Sequence, residues 1–232
     1  MGGAAMSPRT PASKSPTGGR GNGGRSGRAG RGSGGATSGG RGAAQQHRQW
    51  LELVDTEGPF LSVPVITELH PQGVPELSHE RREALRAAKP AFDRAWDAWD
   101  ADRESAAALV SYRRARDAWV GAVLTGVLGW GGSWTMAQDR PALEETHRVS
   151  SDGYPPVTAT PTGALVRGQE VGALVLVTDP VDSLREVGRD GWATSPIDRM
   201  AAMLRAPGSA CSIGVVTDGR WWALVSAPRR GS

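Results

Sequence analysis

The feature that most limits what this chain can fold into is the run from Val171 to Ala227. Three segments (171–177, 212–217 and 220–227) are Val-rich, apolar and bounded by Gly, Pro or Asp. Runs of this length and composition predict buried strands rather than helices. Between the first two stands Ser195-Pro196-Ile197-Asp198, with Ser as N-cap, Pro at the first helical position and an acid in the first turn. It predicts a helix over 196–205 that places Ile197, Met200, Ala201 and Leu204 on one face. Asp218-Gly219 between the last two segments predicts a tight type I′ hairpin turn, which needs φ > 0 at both central positions. The chain is thus expected to end in a β-α-β-β module. A further short strand, 163–167, turning at Gly168-Gln169, makes the sheet four-stranded and partly antiparallel.

Upstream the pattern is helical. Ser78 caps a helix through residue 88 that Pro90 ends or kinks. A second helix places Phe92, Ala95, Trp96 and Trp99 on one stripe. A third, 104–128, does the same with Ala108, Tyr112, Ala115, Trp119 and Val123, leaving Arg113, Arg114, Arg116 and Asp117 mostly off the stripe. Nine of the thirteen aromatic residues are Trp. A buried indole hides roughly 150–250 Å², so the stripes read as core rather than as a base-stacking platform. The fold class is α+β: a disordered Gly/Arg-rich arm (1–46), a helical subdomain (47–135), a polar Pro-rich linker (136–163) and the α/β module (164–232).

Charge divides the chain sharply. Of 27 Lys and Arg, eight fall in residues 1–48, which hold no acid, leaving 19 basic against 24 acidic residues beyond. The basic isoelectric point therefore belongs to the arm. Its Gly-Gly-Arg and Gly-Arg-Gly pieces bury no apolar surface, and Arg20, Arg25, Arg28, Arg31 and Arg41 are candidate phosphate contacts. With all eight charges engaged on a duplex, log K would fall with log salt at a slope of about −7. A lone cysteine, Cys211, excludes an internal disulfide and reads as a small core residue. No apolar run approaches the ~18 residues of a membrane span, and no secretory h-region is present, so a cytoplasmic location is expected.

Sites of chemistry are few. His47, His70, His79 and His147 are scattered without metal-ligand spacing and are expected at surface or capping positions. Neither a nucleophile elbow nor a phosphate-cradling loop occurs. Asp179 and Asp182 follow the first strand of the module and are weak candidates for a divalent-cation site of the kind that activates water. Asp190, Asp198 and Asp218 lie further on. The half-buried sheet, amphipathic helix and hairpin resemble the core of PD-(D/E)xK restriction endonucleases. In those enzymes one strand carries Glu-x-Lys; here it is aliphatic throughout, and the only lysines are Lys14 and Lys89. Glu170 and Arg167 are distant substitutes, and an inactive core is the expectation.

Three further pieces resemble the N-terminal region of Eco57I-like, type IIG-like restriction-modification methylases, found also in phage-defence systems of the phage growth limitation, BREX and DISARM kinds. They are His47-Arg48-Gln49-Trp50-Leu51-Glu52-Leu53-Val54 leading to Gly58-Pro59-Phe60-Leu61, the stretch from Ala118-Trp119-Val120 to Val127-Leu128-Gly129-Trp130, and Ser195-Pro196-Ile197-Asp198-Arg199-Met200 through Gly214 to Trp222. The resemblance implies an S-adenosylmethionine-dependent adenine methylase following this region. Its Gly-rich cofactor loop and Asn-Pro-Pro-Tyr motif do not occur here, so no cofactor is expected in this chain. What the resemblance leaves is a non-catalytic, DNA-contacting scaffold for a separately encoded methylase, using the arm together with Arg199, Arg205 and Arg220. The alternatives are an Mg²⁺-dependent nuclease and a truncated product acting only by interaction.

Overall fold

A computed structural model describes residues 38–56, 58, 61–151 and 156–228, with side chains from Gly42 onward. Among them the fold is mixed α+β. Helices α1 (Ser38–Leu51), α2 (Val63–Leu69), α3 (His79–Ala101) and α4 (Ala106–Gly121) come first. Strand β1 (Trp134–Met136), α5 (Pro141–His147), β2 (Val149–Ser150) and β3 (Thr158–Ala159) follow, then β4 (Gly163–Arg167), β5 (Glu170–Val177), α6 (Pro196–Arg205), β6 (Ile213–Thr217) and β7 (Trp222–Ser226). The main sheet has the order β1-β4-β5-β6-β7, and β2 pairs with β3 separately. Strands β5 and β6 are parallel and joined through α6; every other pair in the main sheet is antiparallel.

Side chains alternate across a strand, so β5 and β6 build two different faces. Leu174, Leu176 and Val216 pack with Met200, Met203 and Leu204 of α6. Val175, Val177 and Val215 pack with Phe92, Trp99, Tyr112 and Trp119 of α3 and α4. The result is three layers, with α6 on one side of the sheet and the α3–α4 hairpin on the other. Ser195 caps α6 as expected, its Oγ accepting from Asp198 N at 3.2 Å.

Several expectations are corrected. Helix α3 runs unbroken through Pro90. Burial of Phe92 and Trp99 against α4 outweighs the roughly 3 kcal/mol that an interior proline costs. Helix α4 stops at Gly121 and the chain widens into a π-helical turn, Ala122–Val127, closed by Gly129 at φ 73°. The stretch 136–163 is no plain linker: it carries a 3₁₀ turn (Ala137–Asp139), α5, β2 and β3, and buries Leu143 and His147. The sheet has five strands because β1 joins it, paired from Trp134↔Leu165 to Met136↔Gly163. Gly163 suits that register, since a Cβ there would run into Thr135 O and the Trp134 ring. Ordered chain starts before residue 46: α1 spans 38–51, with Ala43 and His47 buried. His47 Nε2 lies 3.0 Å from the His70 carbonyl, so neither His47 nor His147 is a surface residue. The remainder of the arm, including Arg20, Arg25, Arg28 and Arg31, lies outside the described residues. No helix among the described residues is long and apolar enough to cross a membrane.

Candidate functional site

In a sheet with a parallel pair, ligands are most readily bound where the strands end, because the loops there diverge and leave backbone groups unpaired. Strands β5 and β6 end at Val177 and Thr217, so the loops beginning Thr178-Asp179 and Asp218-Gly219 lie side by side, tied by Thr178 N donating to Thr217 O at 2.8 Å. The α3–α4 hairpin covers this end. The candidate carboxylates Asp179 and Asp182 lie at this end, and they meet cationic groups of the chain that no local spacing announces.

Asp179 is held by two arginines of α4. Arg113 Nε donates to Oδ1 at 2.7 Å and its Nη2 reaches Oδ2, a bidentate pair; Arg116 Nη1 lies 3.4 Å from Oδ1. The Arg113 hydrogen bonds hold the Asp179 carboxyl below its ordinary range despite partial burial. Arg116 is itself buried and donates to Thr178 O at 2.6 Å. Asp182 pairs with Arg103 at 3.1 Å, a contact open to solvent. The two candidate metal ligands thus already have cationic partners. No group of three or more His, Cys, Asp and Glu among the described residues could hold a metal ion.

Asp218 has a different task. The loop it opens is four residues, not two, because β6 and β7 close with Thr217↔Trp222. The carboxylate turns back and accepts Arg220 N at 2.9 Å, Trp221 N at 2.7 Å and Val181 N at 3.3 Å. Burial raises its pKa, opposed by these three N–H groups. Three aromatic donors complete the fastening: Tyr112 Oη donates to Asp218 O, and Trp119 Nε1 and Trp222 Nε1 donate to Gly219 O at 2.9 and 3.1 Å. Burial raises the Tyr112 pKa, so its hydroxyl stays a donor. Gly219, at φ 93°, is required here: a Cβ would lie 2.7 Å from the Phe92 ring.

The substitutes for a nuclease base are remote. Arg167 pairs with Glu170 at the far end of β5, about 23 Å from Val177 at roughly 3.3 Å per residue. Between them β5 offers only aliphatic and glycine side chains. Asp198 belongs to the α6 cap, its carboxylate accepting from Ser195 Oγ at 2.7 Å.

The basic candidates separate clearly. Arg199 is buried, 2.7 Å from Asp190, with its guanidinium 4.6 Å from the Trp192 ring. It faces the interior rather than DNA, a correction that follows from the width of the apolar stripe on α6. Arg205 is exposed in the last turn of α6, where a cation complements the helix dipole. Arg220 is exposed and stacks on Trp96 at 3.8 Å and Trp221 at 5.0 Å. Arg41 falls within α1. Burial pushes the Cys211 thiol up, in keeping with a core role.

Sequence reasoning missed Arg116, Tyr112 and Trp119 as polar fasteners. Their partners lie 62 to 106 residues away, and no local pattern announces such pairs. No family model matches the chain, and no curated protein or solved structure matches it either.

Proposed function

We propose that this chain is a non-catalytic, nuclease-like module that contacts DNA and serves as scaffold in a restriction-modification or phage-defence adenine methylase system. The methylase itself would be carried by a separate chain. The observation that carries the reading is the state of the strand ends. A hydrolytic centre needs free carboxylates and a cation-binding gap beside a basic residue. Here Asp179 is bidentately held by Arg113, Asp218 ties down its own loop, and β5 carries no ammonium. A parallel pair bridged by α6 and flanked by antiparallel strands agrees with the restriction-endonuclease-like β-α-β-β order that the resemblance implies.

DNA contact on this reading belongs first to the arm, since the sequence beyond residue 48 carries 24 acids against 19 bases. The test uses the full chain and a version with Arg9, Lys14, Arg20, Arg25, Arg28 and Arg31 changed to Gln. Both are titrated with duplex DNA across a range of salt, and both are assayed for Mg²⁺-dependent cleavage. Loss of the six charges should flatten the salt slope by about 5. Cleavage by the unmodified chain that Asp179→Asn abolishes would overturn the non-catalytic reading. An unchanged salt slope would remove the arm from DNA contact.

A further inference from the structure

Strand β7 (Trp222–Ser226) is an end of the main sheet, with β6 on one side and no strand on the other. Its pairing shows which backbone groups are left over. Ala227 N donates to Ser212 O at 2.9 Å, and the register runs on from Ile213↔Ser226 to Thr217↔Trp222 without a shift. In an antiparallel ladder, residues that exchange hydrogen bonds alternate with residues that do not. Ala223, Val225 and Ala227 therefore bond the β6 side, while the N–H and C=O groups of Trp222, Leu224 and Ser226 point outward. The alternation holds on β6 too, where Thr217 turns its carbonyl away from β7 to accept from Thr178 N at 2.8 Å. Those six outward groups have no hydrogen-bond partner among the described residues.

An open edge of this kind is ordinarily blunted by a charge, a proline, a bulge or brevity. The strand Trp222-Ala223-Leu224-Val225-Ser226 has no charge, no proline and no bulge, and at five residues it is of ordinary length. The opposite edge of the sheet is protected: β1 has three residues, and Trp134 N is taken up by Trp130 O at 2.6 Å. Leu224 adds to the contrast. It lies on the α3–α4 face beside its cross-strand partner Val215, yet it is 47% exposed, so the helical hairpin leaves the border of that face uncovered.

We propose that β7 is the pairing edge of a symmetric dimer, in which a second copy of this chain lays its own β7 antiparallel alongside and continues the sheet from five strands to ten. This pairing does not depend on DNA contact. Backbone chemistry selects an extended strand as the occupant, since only another ladder satisfies alternating N–H and C=O groups along a line. Self-complementarity selects this chain. With Leu224 opposite Leu224 of the second copy, Trp222 falls opposite Ser226 and Ser226 opposite Trp222. That register pairs all six outward groups on each copy, and each copy shows the other the same patch, as a twofold axis requires. Sliding the second copy by two residues sets Trp222 against Pro228, which has no N–H, or Ser226 against Arg220 in the loop. The matched register lays a large indole across from a small hydroxymethyl group and joins the two exposed leucines, their Cα atoms about 5.5 Å apart. It brings no like charges face to face within the strands, although the sequence beyond residue 48 is acidic overall. A strand of five residues is small beside the roughly 20–30 residues a side of a standard interface, so the dimer is a weak one, forming at about 10–100 μM.

The test uses the full chain. Sedimentation velocity from about 1 to 200 μM should show monomer giving way to dimer as concentration rises. Leu224→Lys places an ammonium at the centre of the edge and should raise the dissociation constant about 10-fold or more, with the melting temperature of the dilute monomer unchanged. Leu128→Lys, at a leucine of similar exposure (48%) outside the sheet, should leave the association as it was. Cysteine variants read the register independently of that comparison, the native Cys211 being buried. On air oxidation Leu224→Cys should give a disulfide-linked dimer, since the two residues 224 stand within disulfide reach across the twofold axis. Ser226→Cys should not, because the two residues 226 are more than about 13 Å apart in that register. A chain that stays monomeric at every concentration overturns the proposal and leaves the edge to a strand of another protein. A dimer that Leu224→Lys leaves intact overturns it as well, as does equal weakening by Leu128→Lys. Linking of Ser226→Cys as readily as Leu224→Cys has the same consequence.

Discussion

The two faces of the sheet are packed by different means. Against α6 the interface is aliphatic and methionine-rich: Leu174, Leu176, Val216, Met200, Met203 and Leu204. Nothing polar in that list needs a partner, and the face could be repacked with other side chains of similar volume. Against α3 and α4 the interface is aromatic, and its rings are bonded at their rims. Phe92, Trp96, Trp99 and Tyr112 lie with centroids 5.1 to 5.9 Å apart, while Tyr112 and Trp119 donate to the backbone of the loop after β6. The first face supplies cohesion. The second also fixes where Asp218, Gly219 and Trp221 stand, which is why the candidate site lies on that side.

The sharpest way to break this contrast is to truncate one anchor on each face. Trp119→Ala should cost about 4 kcal/mol and Leu204→Ala about 3 kcal/mol, both read from urea unfolding. The distinguishing result is local: hydrogen exchange at the Arg220 and Trp221 amides should accelerate in the first variant and not in the second. Glycine substitutions probe the same difference. Gly219→Ala should cost about 3 kcal/mol, because φ is positive and the new methyl meets the Phe92 ring. Gly214→Ala should cost less, about 2 kcal/mol, because the new methyl meets Sδ and Cγ of Met200, a buried but unbranched side chain that can shift more readily than a ring. Equal costs would mean that the aromatic face yields as readily as the methionine face.

Arg199 tests whether polar fastening extends to the α6 side. Arg199→Ala should lower stability by about 2 kcal/mol, because it strands the partly buried Asp190, while leaving the salt slope for DNA unchanged. The smallest effect concerns pH. Asp179 has a depressed folded pKa, so its stabilising contribution is full above the ordinary carboxylate value and is lost as pH falls through the folded one. Asp218 has a raised pKa and works in the opposite sense: its ionised form costs stability, and the cost fades on acidification. Asp179→Asn should flatten the decline of the urea midpoint below about pH 4, by less than about 1 kcal/mol because the pair is partly exposed. A steeper decline would reverse the assignment.

Local chemistry was legible wherever cause and effect sit within a few residues. The Ser195 cap, the apolar face of α6, the aliphatic strands β5 and β6 and the tryptophan stripes all follow from short-range spacing. The misreadings arose where a distant partner intervened. Pro90 sits within a helix because α4 packs against the residues that follow it. Strand β1 has three residues and no periodicity of its own, and it exists because β4 offers an edge. Asp218-Gly219 carries the signal of a two-residue turn, but the Asp218 carboxylate bonds N–H groups further along, and the loop opens to four residues. Spacing leaves Arg113 and Arg116 off the apolar stripe of α4, and only the fold brings Asp179 beside them.

What the sequence determined alone was the identity and order of the elements in the β-α-β-β segment, and the absence of a lysine from its central strand. Periodicity, caps and side-chain inventory are properties of the chain itself. Which charges are neutralised, which indoles are bonded and which one is left open were decided only when the loops after β5 and β6 met α3 and α4. Those pairings span 62 to 106 residues, and their energy comes from desolvated contacts that do not exist until the layers close.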